Sequence, residues 1–144
     1  MNASLYETDF HAWAQDQVAK MRAGRFADLD VDHLTEELEG MGASEKREIE
    51  SRLVILIAHL LKWQFQPEQR SGSWRGTIRT QRRGIERLLR DSPSLIRLVS
   101  EKAADAYPEA RELAADETGI PESAFPGQCG YLESELLNME FWPD

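Results

Sequence analysis

"ESRLVILIAHLLKWQF", residues 50–65, decides the fold. From Leu53 onward the segment is apolar nearly all round. Leu53, Leu56, Leu60 and Trp63 share one helical face, Val54 and Leu61 lie on a second, and Ile55 on a third. A helix wetted on one side needs only an apolar stripe, so this one is expected to be the central, most buried element. Its apolar run is about half the roughly 20 residues that span a bilayer, and His59 interrupts it. The segment therefore reads as the core of a soluble helical domain and predicts no membrane association. Ser44 is placed to cap this helix, with Glu45 and Glu48 in its first turns, and Pro67 to end it.

The same 3–4 spacing recurs on both sides. Toward the N-terminus, Tyr6, Phe10, Trp13, Gln17 and Met21 form one stripe, opened by a Ser4/Glu7 capping box and closed by Gly24. A second, shorter helix follows, capped by Asp30, with Leu34, Leu38 and Met41 as its stripe and Gly40 and Gly42 weakening its end. After Pro67, "SWRGTIRTQRRGIERLLR" (residues 73–90) gives a fourth helix with Trp74, Ile78, Gln81, Ile85 and Leu88 on one side. Ser92 and Pro93 open a fifth, running through Leu95, Leu98, Val99, Ala103 and Ala106. Pro108 predicts a kink or restart before Ala110, Leu113 and Ala114, and Gly119 predicts the stop. Beyond it come loop, one or two turns at "LESELL", and two aromatics in "MEFWPD" that would staple the tail to the core. The expected architecture is all-α: one domain over residues 1–144, a bundle of about five antiparallel helices with a short irregular C-terminal segment.

Charge supplies the functional handle. The chain of 144 residues has a formal net charge of -9, yet residues 73–90 hold six arginines. From Lys62 to Arg97 nine basic residues face three acidic ones, whereas from Leu98 to Asp144 two face eleven. Arg75, Arg79, Arg82 and Arg83 project over about two turns and could follow a phosphate backbone, with Trp63 and Trp74 as stacking surfaces. Against this, a sequence pI of about 4.9 disfavours a polyanion partner. A short Asp-Ser-Pro-Ser link makes the fourth and fifth helices neighbours. Glu101, Asp105, Glu109, Glu112, Asp116 and Glu117 on the fifth are then expected to neutralise the arginines internally.

His59 offers a second centre. Lys62 and Trp63 lie near it on one helix, and Glu36 and Glu37 could bring carboxylates from another, making a buried polar centre or an acid–base pair. The ligand pattern for a metal is poor: no His-x-x-x-His and no Glu-x-x-His occurs. His59 is therefore expected to bond a carboxylate or carbonyl and fix helix packing, with one of the two glutamates facing solvent and the other pairing with Lys62 or a fourth-helix arginine. Gln81 reads as a buried hydrogen-bonding residue. Cys129 is the one cysteine, so no intrachain disulfide or cysteine zinc site can form, and nothing near it in sequence activates the thiol. Glycine-rich phosphate loops and Gly-x-Ser-x-Gly are absent. No catalytic residue, metal or cofactor is assigned. The absence of a basic and then apolar leader points to the cytoplasm.

Several segments together carry a resemblance: "YETDFHAWAQDQ", "LTEELEGMG", "HLLKWQFQPEQRSGSWRGTIRTQRRGIERLLRDSPSL" and "ARELAADETGIPESAFP". They resemble domain of unknown function family 29, a bacterial helical family, over nearly the whole chain. The resemblance implies a helical fold and carries over no catalytic residues; Pro108 departs from it, since a helix-favouring residue is expected there. The reading is thus a non-enzymatic interaction or regulatory module, with a protein partner or self-association. The alternatives are a nucleic-acid-associated protein using the fourth helix and, third, a metal-dependent enzyme centred on His59.

Overall fold

The structure, a computed structural model, describes residues 4–144. Its helices are α1 (Leu5–Thr8), α2 (Phe10–Arg22), α3 (Val31–Phe65), α4 (Gly72–Asp91), α5 (Val99–Thr118) and α6 (Glu133–Leu137), joined by loops and short 3-10 turns. Among the described residues there is no strand, and the fold is all-α. No helix is long and apolar enough to cross a membrane. Contacts gather into two compact units, one ending at Ala43 and the other spanning Ser44–Asp144.

In the first unit the expected opening helix is two helices. Asp9 ends α1 and caps α2, its carboxylate accepting from the Ala12 amide at 3.0 Å. That displaces the Ser4/Glu7 capping box: the Ser4 side chain makes no capping bond. Only Trp13 and Gln17 of the expected stripe are buried, while Phe10 and Met21 stay exposed. The Gln17 side-chain oxygen accepts from the Asp30 amide at 2.8 Å. Asp30 then caps α3 as expected, accepting from the His33 amide at 3.4 Å. Its carboxylate also takes the Trp13 indole N–H at 3.0 Å and the His33 Nδ1–H at 2.6 Å. The Tyr6 ring stacks on His33, centroids 3.9 Å apart, and its hydroxyl donates to Glu37. Asp30 thereby ties α2, and Glu37 ties α1, to the opening turns of α3.

The expected break at Gly40–Gly42 does not occur: α3 runs unbroken from Val31 to Phe65, and Ser44 caps nothing. Neither glycine takes a positive φ. Helical glycines cost about 1 kcal/mol each against alanine, which weakens a helix without stopping it when no proline or left-handed residue follows.

In the second unit the segment that opens the sequence analysis is the core. Ile49, Leu53, Leu56, Ile57, Ala58 and Leu60 have no exposed surface. Ile78 and Ile85 of α4 pack with them. From α5 come small residues, Ala103, Ala106, Ala110 and Ala114, which let that helix approach closely. The C-terminal segment adds Phe125 and Leu136, and Trp142 packs on the core as the staple expected of the tail. Residues 93–98 form a 3-10 turn in place of the start of the fifth helix, and the Ser92 side chain makes no capping bond. Pro108 neither restarts nor ends α5. It costs one hydrogen bond to the carbonyl four residues back, and Ala104 is exposed, so water can replace that bond. Gly119, at φ 76, closes the helix as expected.

Candidate anion-binding face

α4 is anchored before it is functional. Ser71 caps it, its side chain accepting from the Trp74 amide at 3.2 Å. The buried side carries Ile78, Arg82, Gly84 and Ile85. The Arg52 guanidinium lies against Gly84: a Cβ there would fall 2.3 Å from Arg52 Nη1, and that side chain would have to move. From that seat Arg52 donates to the Gln81 side-chain oxygen at 3.3 Å, the hydrogen-bonding role expected of Gln81, although Gln81 is only half-buried.

Arg82 corrects the expectation that it projects with Arg75, Arg79 and Arg83. Successive helical positions diverge by about 100°, and Arg82 falls on the Ile78–Ile85 side, 1% exposed. It has no carboxylate partner among the described residues. It donates to three backbone carbonyls: Leu136 at 2.9 Å, Phe141 at 2.9 Å and Glu135 at 3.0 Å. Two of these are among the last carbonyls of α6, and Glu135 also accepts from the Asn138 amide at 3.3 Å. Burial lowers the Arg82 pKa, but a guanidinium starts so high that it keeps its charge.

The outer side presents Arg75, Arg79, Arg83 and Arg87, all exposed. Arg87 belongs to the row although it is not among the residues singled out from the sequence; its signal is the fourth member of a repeat of four. Arg75 lies 5.5 Å from the ring centroids of both Trp63 and Trp142, and Arg79 5.8 Å from Trp142. Arg70 covers Trp63 at 5.0 Å, and the two tryptophans meet at 4.7 Å. These rings are occupied by the protein's own guanidinium groups and by the core, so the expected stacking role of Trp63 for bases is not available.

Internal neutralisation by the fifth helix does not occur. Among the described residues, no ion pair joins α4 to α5. Arg90 pairs with Glu86 of its own helix at 3.1 Å, and the ion pair that reaches α5 from another helix comes from Lys62 of α3, bound to Glu117. Arg75, Arg79, Arg83 and Arg87 have no carboxylate at ion-pair distance among the described residues. The short link after α4 does not bring the acidic side of α5 around to the arginines.

At His59 the chemistry is spent locally. Nδ1 donates to the Ile55 carbonyl one turn back at 2.8 Å, the carbonyl bond expected of it. Burial lowers its pKa from the ordinary 6.5, against the Ile55 hydrogen bond, which raises it. Lys62 is 5% exposed, with its ammonium 4.9 Å from the Trp74 ring centroid. Glu37 does not pair with Lys62 or a fourth-helix arginine; its partner is Tyr6, whose hydroxyl pKa is thereby pushed up to about 12, and Glu36 is exposed. Among the described residues no three His, Cys, Asp or Glu side chains gather as a metal site. A cavity of about 610 Å³ is lined by Tyr107, Cys129, Tyr131 and Glu133 among others. Burial pushes the Cys129 thiol up, and its bond goes to the Tyr131 carbonyl, so no activated nucleophile sits there.

The family model described as Domain of unknown function DUF29 matches residues 5–142, and the chain belongs to that family. No curated protein and no solved structure matches it.

Proposed function

We propose that this member of the DUF29 family is a non-enzymatic interaction module of the cytoplasm whose first unit docks a basic amphipathic helix of a partner protein. One observation carries the reading. Of the nine exposed large apolar side chains among the described residues, seven lie before Ala43: Leu5, Phe10, Met21, Phe26, Val31, Leu38 and Met41. The sequence places Leu38 and Met41 in a stripe destined for a core, yet they are 69% and 64% exposed. Scattered apolar residues need no explanation, but a group concentrated in one small unit supports the reading of an interaction surface.

The partner's chemistry follows from what surrounds the stripe. Residues 1–43 contain nine acidic and three basic residues. Asp32, Glu36 and Glu39 stand exposed between Val31 and Met41. A second copy would bring the same negative charge, and a stripe of about 15 Å is too short for the roughly 1,600 Å² of a standard interface. A lysine-rich amphipathic helix satisfies both the apolar stripe and its acidic margins.

The test uses a labelled helical peptide of leucine and lysine, and a counterpart with glutamate for lysine, titrated by fluorescence anisotropy. The lysine peptide is expected to bind and the glutamate peptide to fail. Leu38→Gln with Met41→Gln should weaken binding by about tenfold or more, since each buried apolar side chain contributes about 1.5–3 kcal/mol. Equal binding by the double variant would refute the reading.

A further inference from the structure

The arginine row of α4 is not absorbed by that reading, and we infer that it is a second binding surface, for the phosphate backbone of a nucleic acid. Arg75, Arg79, Arg83 and Arg87 repeat every four residues. They form one ridge of about 18 Å, with a cation at each turn. Of the two acidic residues on the helix, Glu86 is held by Arg90 and Asp91 closes the far end. In a chain of net charge -9, four guanidinium groups without a carboxylate partner among the described residues stand in one row.

Two features choose phosphate over an acidic protein, and a third favours binding at the ridge. All six cations of α4 are arginine and none is lysine; the planar fork of arginine matches a phosphate with two parallel hydrogen bonds. Between the arginines the exposed positions are Gly76, Thr80 and Glu86, the last held by Arg90, and no large apolar side chain of α4 is exposed. Protein interfaces have an apolar centre, whereas interfaces with nucleic acid are polar and strongly positive. Finally, Arg75 and Arg79 are already held against Trp142. That leaves their charge intact and reduces the ordering cost of binding.

The surrounding acidity sets the footprint. Contact is therefore expected with three or four phosphates along the ridge, without wrapping and without base readout. The expected signature is a modest affinity with a shallow salt dependence. For a duplex, the slope of log K against log salt is about -0.9 per phosphate neutralised, which gives about -3 here.

The measurement is anisotropy of a short labelled DNA duplex across a salt series, with the full chain. Arg79→Gln with Arg83→Gln should reduce the slope by about 2 and weaken binding at low salt several-fold. Both side chains are exposed, and far-UV circular dichroism checks that the helix persists. Arg22→Gln with Arg25→Gln removes the same charge from the first unit and should leave the slope unchanged. An unaltered slope in the α4 variant overturns the inference. So does equal loss in the first-unit variant, because net charge alone would then govern binding. Polyglutamate of matched charge competing as well as DNA would assign the ridge to acidic proteins and overturn it too. The leucine–lysine peptide should still bind the α4 variant, which keeps this outcome separate from that of the first unit.

Discussion

At the scale of single residues, Asp30 and Arg82 are the two hubs, and each has a distinct dependence. Asp30 lies below its ordinary pKa of 3.8, chiefly through the His33 hydrogen bond, and His33 is raised above 6.5 by the same bond. Stabilisation from the lowered Asp30 is present above 3.8 and is lost as pH falls through its folded value. Stabilisation from the raised His33 is complete below 6.5 and is lost as pH rises through its folded value. The first unit should therefore be firmest between these limits. Nuclear magnetic resonance titration should find the His33 ring titrating above 6.5, and His33→Gln should flatten the decline in thermal stability on the alkaline side. Arg82 acts without titrating. Arg82→Gln strands buried carbonyls and should cost about 3 kcal/mol or more in chemical denaturation. Its neighbour Arg83→Gln, exposed and unpaired among the described residues, should stay within about 0.5 kcal/mol of the parent protein. Residue type does not distinguish these two arginines, and spacing from Arg75 and Arg79 groups them together; only the 100° turn between them sends one inward and the other out.

Elements divide by what ends them. Where a stop required a special backbone, the sequence announced it: Gly24 and Gly119 are the described glycines with positive φ, and each follows a helix. Where the signal was a cost without an obstacle, as at Gly40, Gly42 and Pro108, the helix continued. The glycines of α4 make this testable. A methyl at Gly76 would meet nothing within 4 Å, whereas one at Gly84 meets Arg52. Gly76→Ala should stabilise by about 0.5–1 kcal/mol. Gly84→Ala should fall short of it by about 1 kcal/mol, since Arg52 must leave Gln81. In an Arg52→Ala background that shortfall should vanish, and a double-mutant cycle reads the difference directly.

For the whole molecule, the central helix, the helical class and the stapled tail were legible because burial of apolar surface is periodic and local. The destination of charge was not. Carboxylates and guanidinium groups looked complementary when summed by segment, but pairing depends on which faces meet, and α5 turns alanines toward the core while its acids stay in water. Asp30 with Trp13 and Tyr6 with Glu37 were equally hidden, since each joins positions 17 and 31 residues apart. The two units also differ in how they use apolar residues. The second encloses nearly all of its large ones, and the first leaves most of its own at the surface.

The carbonyl of Phe141 and the ring of Trp142 follow α6, yet they hold guanidinium groups of α4. Removing residues 141–144 would take Trp142 from Arg79, leave Arg75 with Trp63 alone and deprive Arg82 of one acceptor, so a short segment after α6 governs how ordered the most cationic surface is.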